Sequence, residues 1–353
     1  MKKFFLSSDI EEVIKHISTF ATDLSGKNVL LTGGRGFLGR YFVEIFDRLN
    51  KDILDKPVTL TVLDNLITAG KEGSDIPEYD NIKFIKHDVI HPFTCDEPLD
   101  YIIHAAGIAS PYYYRAYPIE TLEVAISGTR NMLTLAEKSN ARLSFFSSSE
   151  IYGDPDAKHI PTQESFRGNV SCQGSRACYD ESKRVGETLC YIYYSQNGTL
   201  TNTIRPFNVY GPGMQETDYR VLPNFASRIK AGSHLHIYGD GSQTRTFCYI
   251  TDALIGFFKV FLKGVPGEAY NIVNPKPEVS MIDLAETLKI ISSNKIKYDI
   301  IEYPDSYPAD EPMRRCPDIR KARLQLGFEP VVKFEEGLSR FLTWTDRFYV
   351  GNQ

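Results

Sequence analysis

Three groups of residues carry the chemistry available to this sequence. The first is Thr32-Gly33-Gly34-Arg35-Gly36-Phe37-Leu38-Gly39, which follows an apolar run at 28–32 and opens an amphipathic stretch. Glycines at 33, 36 and 39 permit a tight turn, close approach of backbone to a pyrophosphate and close helix–strand packing. The helix that follows offers free N–H groups and the positive end of its dipole to phosphate. A glycine triplet alone also makes ordinary turns; the strand before it and the helix after it mark a dinucleotide site. The second strand ends in Leu63-Asp64-Asn65. An acid there accepts hydrogen bonds from ribose hydroxyls and repels a 2′-phosphate, so NAD is expected rather than NADP. Asp64 lies 25 residues after Gly39, somewhat beyond the usual ~20, with 50–57 lengthening the loop. Phe37, Leu38, Asn65, Asp88, Val89 and Ala105 are expected to line the same cofactor site. Asp88 would meet the adenine amino group, although alone it reads equally well as a surface loop acid.

The second group is Tyr179-Asp180-Glu181-Ser182-Lys183, a tyrosine and a lysine on one face of a helix. A free phenol, with a pKa of ~10, is a poor base at neutral pH. A neighbouring ammonium and the positive nicotinamide ring both favour phenolate. Such a pair is common by chance, but here the fifth apolar run leads into a third group, Ser147-Ser148-Ser149-Glu150-Ile151-Tyr152-Gly153. Strand ends in a doubly wound sheet face the ligand crevice. Ser148 is placed to hydrogen-bond a hydroxyl as it becomes a ketone, with Glu150 beside it. The plainer reading is that the serines cap a strand and Glu150 is a solvated loop acid.

The elements that must hold these groups follow from the pattern of the whole chain. Its 353 residues suggest two domains or one large one. Apolar residues reach 42% and aromatics 12%, and charge is mixed in sign, which excludes disorder. With 40 basic and 45 acidic residues the net charge is −5, which argues against a sequence-independent grip on nucleic acid. No apolar run approaches the ~20 residues that span a bilayer. The opening Met1–Leu6 is cut off by Ser7-Ser8-Asp9 too early for a signal peptide. Cys95, Cys172, Cys178, Cys190, Cys248 and Cys316 form no CxxC and no metal-like set with histidine. They read as reduced thiols of a cytoplasmic protein that holds no metal.

Residues 9–22 space Ile10, Val13, Ile14, Ile17 and Phe20 as one helical face, an N-terminal extension (1–25) that packs on the body. Short apolar runs at 28–32, 58–63, 82–86, 101–104, 143–147 and 201–205 then alternate with helical stretches, notably 37–50, 119–138 and 178–196. The gap between the second and third runs gives no clear helix. The expected fold class is α/β, a doubly wound parallel sheet (Rossmann) with a smaller C-terminal α/β substrate domain. The expected boundaries are 26–205 with 244–262 for the NAD-binding domain, and 206–243 with 263–353 for the nucleotide-sugar domain.

Longer stretches narrow the field: Tyr152-Gly153-Asp154-Pro155, Ser175-Arg176-Ala177-Cys178-Tyr179-Asp180-Glu181-Ser182-Lys183-Arg184-Val185-Gly186-Glu187-Thr188, Tyr238-Gly239-Asp240-Gly241-Ser242-Gln243-Thr244-Arg245, Arg315-Cys316-Pro317-Asp318-Ile319 and Leu326-Gly327-Phe328-Glu329-Pro330. On these the chain resembles the extended short-chain dehydrogenase/reductase superfamily that works on nucleotide sugars. Within it, over about residues 27–345, it is most similar to the UDP-glucuronic acid decarboxylases. The resemblance implies catalytic roles for Ser148 (where the family usually has Thr), Glu150, Tyr179, Lys183 and Arg315. It also implies diphosphate contacts from Asn208 and Arg245, and makes Ser110, Arg220 and Tyr238 further expected substrate contacts. The implied reaction converts UDP-glucuronate to UDP-xylose. Tyr179 takes the C4 proton as hydride moves to NAD, the carboxylate β to the new ketone leaves as CO2, and the hydride returns, so that NAD is recycled.

The chain departs from that pattern at 171–176, at Ala125 and at Tyr113, the last two standing where relatives carry Asn. A nucleotide-sugar 4,6-dehydratase and a 4-epimerase therefore stay open as alternatives. Many dehydratases place an aspartic acid where Ser149 stands, although a GDP-mannose branch does not. An NAD-sensing scaffold of the same fold would be free to lose Tyr179 or Lys183, and both are present. The resemblance further implies a homodimer in which 119–138 and 178–196 pair across a two-fold axis, with Leu122, Met132 and Leu133 as apolar contributors if they are not core.

Overall fold

The computed structural model describes residues 4–69, 78–293, 296–303 and 312–351. In chain order the strands are β1 Asn28–Thr32, β2 Thr59–Asp64, β3 Ile82–Lys86, β4 Tyr101–His104, β5 Arg142–Phe146, β6 Thr201–Pro206, β7 Val209–Tyr210, β8 Leu235–Tyr238, β9 Thr244–Thr246, β10 Cys248–Tyr249, β11 Ala269–Ile272, β12 Glu278–Ser280, β13 Tyr298–Ile301 and β14 Arg314–Arg315. Among the described residues, seven of them form one sheet in the order β11-β6-β5-β4-β1-β2-β3. Every neighbouring pair in it is parallel. This is the doubly wound Rossmann sheet expected from the alternation of apolar runs and helices.

Strand alternation divides the core in two. Val29, Leu31, Leu60, Val62, Ile103 and Phe146 pack on one side with the helices Phe37–Asp52 and Ile250–Lys263. Their sequence neighbours Leu30, Leu63, Ile102 and Phe145 pack on the other with Met132, Leu133 and Ala136 of the helix Thr129–Ser139. Successive residues of a strand point to opposite faces, so sheets buried on both sides need near-continuous apolar runs. The strand order reverses between β1 and β4, and the crevice at their carboxyl ends is where such folds hold ligands.

Four findings adjust the sequence reading. The seventh strand, Ala269–Ile272, falls inside a Gly- and Pro-rich stretch, too short to signal itself, yet it pairs with β6 in the central sheet. Conversely, Thr244–Thr246 belongs to a small sheet with β12 and β14. Thus 244–246 pairs outside the central sheet and 269–272 within it. Met132 and Leu133 are fully buried core, not surface, and Leu122 is half-buried. Part of the unclear gap between β2 and β3, residues 70–77, lies outside the described residues.

The N-terminal helix Ser7–Ala21 lies against the helices Phe37–Asp52 and Ile250–Lys263, with Ile10, Val13, Ile14 and Ile17 buried. Its buried Asp9 accepts hydrogen bonds from Tyr249 at 2.7 Å and Arg340 at 3.2 Å. Burial raises that carboxyl to about 6, against the Tyr249 hydrogen bond and the Arg340 charge. No helix among the described residues is long and apolar enough to cross a membrane. Because Ile17 is fully buried and Ile290 is 72% exposed, Ile17→Ala is expected to cost about 2–4 kcal/mol in urea unfolding and Ile290→Ala less than ~0.5 kcal/mol. Equal costs would contradict the docking of this helix.

Candidate active site

The glycine loop opens at the end of β1 because nothing larger fits. Gly33 has φ +74°, and a Cβ there would lie 2.8 Å from the backbone of Ala106 at the end of β4. A Cβ on Gly39 would lie 2.1 Å from the carbonyl oxygen of Gly33. Gly36 then starts the helix Phe37–Asp52 with no side chain among the described residues capping its N–H groups, the setting that suits a phosphate. Asp64, at the end of β2, accepts from the N–H of Arg35 and of Leu66, each at 2.8 Å. Burial raises its pKa, and these two hydrogen bonds oppose the shift. Asn65 donates to Asp88 at 2.9 Å. All of the expected cofactor residues, Phe37, Leu38, Val89, Ala105, Tyr179 and Lys183 included, border one cleft of about 270 Å³. A cradle that a Cβ would fill, an uncapped helix start and an acid at the next strand end together fit a dinucleotide.

Beneath the cleft His104 bridges Thr32 Oγ1 at 2.7 Å and Thr129 Oγ1 at 3.1 Å, while Thr32 Oγ1 accepts from the N–H of Ala106. Full burial, aided by the Lys183 charge, lowers this histidine to about 3. It is a neutral tie between the ends of β1 and β4. The sequence reading took it only as part of a strand.

Tyr179 and Lys183 lie one turn apart on the helix Ala177–Asn197, and both are buried. The Tyr179 ring stacks on Tyr114, centroids 5.2 Å apart, and its oxygen is hydrogen-bonded by Ser148. Lys183 Nζ donates to the carbonyl of Phe146 at 2.8 Å and sits 5.7 Å from the Tyr179 ring centre. The expected drop in the phenol's pKa is not produced by the protein's own groups. Burial pushes Tyr179 up to about 12, only partly offset by Ser148. Burial also lowers Lys183 to about 8, with Glu187 opposing. Both groups favour their neutral forms, because the site is dry.

Glu150 is not a solvated acid. It is held by Arg176 on one side and by both terminal nitrogens of Arg315 on the other. Arg176 also lies 3.8 Å from Asp180, so two carboxylates and two guanidiniums share one buried cluster. Arg315 Nε is buried with no hydrogen-bond partner among the described residues. Arg176 stands in the family-specific stretch 175–188 but carries no expected role; its position one turn before Asp180 is a further signal.

A second cavity of about 540 Å³ adjoins the first, and Glu150, Tyr179, Asn208 and Arg220 border both. Arg315, Tyr238 and Arg245, the expected substrate contacts, line the second one. Arg245 and Arg315 face each other in register across the parallel strands β9 and β14. Asn208 donates to the carbonyl of Thr246 at 2.8 Å, and Arg220 is paired with Asp218. Tyr112 and Tyr219, unforeseen in sequence, stack at 4.9 Å on the cavity wall. Ser110 borders neither cavity. It precedes the helix Pro111–Ala116, its hydroxyl is buried without a hydrogen-bond partner among the described residues, and its neighbours Ala109 and Pro111 do the lining.

The chain is 38% identical over 329 residues to UDP-glucuronic acid decarboxylase 1 of Danio rerio, covering 93% of this chain and 75% of that one. It is 38% identical over 315 residues to UDP-glucuronic acid decarboxylase 5 of Arabidopsis thaliana, covering 89% and 88%. Among solved structures it is similar to the epimerase Mth375 of Methanothermobacter thermautotrophicus, with a TM-score of 0.77 at 27% identity over 96% of this chain and 95% of that one. The model of the NAD dependent epimerase/dehydratase family matches residues 29–273. That match runs from the first strand of the central sheet through its last, and the chain belongs to the NAD dependent epimerase/dehydratase family.

Proposed function

We propose that this chain decarboxylates UDP-glucuronate to UDP-xylose through a 4-keto intermediate, with NAD restored in each turnover. The observation that carries the reading is the carboxylate of Glu150 held between Arg176 and Arg315, where the two cavities join beside Ser148 and Tyr179. NAD, when bound, supplies reversible oxidation of the sugar carbinol carbon. In this reading Gly33, Gly36 and Gly39 cradle its pyrophosphate and Asp64 takes the ribose hydroxyls. With a ketone at C4, cleavage of the C5–C6 bond sends its electron pair into that oxygen as CO2 departs. Ser148 and Tyr179 hydrogen-bond the oxygen as charge develops, a role worth several kcal/mol in a dry site. Tyr179, as the phenolate that the positive nicotinamide would favour, would take the C4 hydroxyl proton on oxidation and, then protonated, is suited to donate there. Lys183 brings a positive charge near the Tyr179 ring, Glu150 orients the sugar, and Arg315 organises the proton that reaches C5. Asn208, Arg220, Tyr238 and Arg245 hold the UDP portion.

Ser149 is buried where many 4,6-dehydratases place an acid, and a hydroxyl cannot serve as that acid, which favours loss of CO2 over loss of water. The kinship with curated decarboxylases supports the same choice. The reading extends to a homodimer through the outer faces of 118–139 and 177–197, supported by exposed Ile119, Tyr191 and Ile192. It also extends to a cytoplasmic setting, supported by six free thiols.

Incubation with UDP-glucuronate and NAD is expected to give a product lighter by one CO2, with Tyr179→Phe slowed by ~100-fold or more. A product lighter by one water, one of unchanged mass, or an unaffected variant overturns the reading. Lys183 provides an independent check. Its folded pKa of about 8 lies below the ordinary 10.5, so unfolding takes up a proton between these values. Stability therefore rises with pH across that window, and the penalty is fully present at neutral pH. Lys183→Met is expected to abolish turnover yet raise the melting temperature at pH 7 by roughly 2–4 °C; a lower melting temperature contradicts the burial argument. Light scattering is expected to give twice the chain mass, and a single chain mass would rule out the dimer.

A further inference from the structure

The proposed chemistry makes no use of the residues before the glycine loop, yet they end against it. Phe5 packs edge-on against Tyr41, centroids 4.7 Å apart, and Tyr41 against Phe37, which borders the cofactor cleft. Phe4 lies under the guanidinium of Arg40, 4.4 Å from the ring centre. Arg40 is buried and does not border the cleft, but it spans the two loops that do. Its Nε donates to the carbonyl of Arg35 at 2.8 Å, inside the glycine loop. Its Nη2 donates to the carbonyl of Ala69 at 3.1 Å, in the loop after β2. Asp64 ties the same two loops by accepting from the N–H of Arg35 and of Leu66. One acid thus takes the N–H groups and one base takes the carbonyls. Gln215 adds a donor to the Ala69 carbonyl at 3.1 Å. The tie works against a preference, since Leu66 is held at φ 68°, where branched side chains are rarely found. Ile67 and Thr68, between the tied points, border the cleft.

We infer that Phe4 and Arg40 are positioning residues for the adenosine half of NAD: the N-terminal segment braces the two loops at one separation without touching the dinucleotide. The inference rests on the reading of the cradle as an NAD site. Arginine is required because its planar fork reaches two carbonyls at once, which a lysine ammonium cannot do in the same geometry. The Phe4 ring keeps that fork in place by a cation–π contact.

The test is calorimetric titration of NAD and of ADP-ribose into wild-type, Phe4→Ala, Arg40→Met and Arg40→Lys proteins, with thermal melting of each in the absence of ligand. Arg40→Met is expected to raise both dissociation constants by the same factor, about 10-fold, the size of one or two lost hydrogen bonds. Phe4→Ala is expected to raise both by about 3-fold, as befits one cation–π contact. Arg40→Lys should recover part of the loss. Unchanged affinity in Arg40→Met overturns the brace, as does a loss seen with NAD and absent with ADP-ribose, or a fall in melting temperature with both affinities intact. If Arg40→Met fails to fold, Phe4→Ala, a change in a half-buried ring, decides the matter by the same criterion. Absence of binding to the wild-type protein overturns the cradle and the brace together, which sets it apart from a loss confined to the variants.

Discussion

Two backbone segments meet at the carboxyl ends of β1 and β4 with room between them for hydrogen and nothing heavier. The rest of the site is arranged around that approach. With Gly33 turned back against Ala106, the first residues of the helix Phe37–Asp52 border the crevice opened by the reversal of strand order. The His104 tie between Thr32 and Thr129 holds the same approach from below without bringing a charge into the core.

Dryness sets the chemistry of what lies above. A buried phenol and a buried ammonium are both pushed toward neutrality, the phenol up and the amine down. The Tyr179–Lys183 pair is therefore not a ready-made base in the protein alone; it is a pair of buried groups that responds to charge brought near it. The cluster of Glu150, Asp180, Arg176 and Arg315 beside it carries balanced formal charge. A buried group of this kind is costly when one member is removed, and contributes geometry more than stability when intact.

Much of this was legible in the sequence, for reasons specific to each part. The glycine loop could be read because its demands are on the backbone, and only glycine meets them. Tyr179 and Lys183 could be read because the helical period places them on one face. The parallel sheet followed from runs apolar on both faces. What could not be read depends on partners distant in the chain. Arg176 matters through Glu150, 26 residues away. His104 matters through Thr32, 72 residues away. Tyr114 matters through a ring in another helix. The strand Ala269–Ile272 has four residues and owes its place to β6, and Ser110 misses the cavity because the short helix it precedes turns its neighbours inward.

The pairing of β9 with β14 has one more consequence. Arg245 and Arg315 occupy facing register positions on adjacent parallel strands, so their side chains leave the sheet on the same side, about 4.8 Å apart at the backbone. They behave like two teeth of a comb. The ladder that joins their strands fixes the spacing of their backbones. Arg245 is thereby held one strand away from the arginine that grips Glu150.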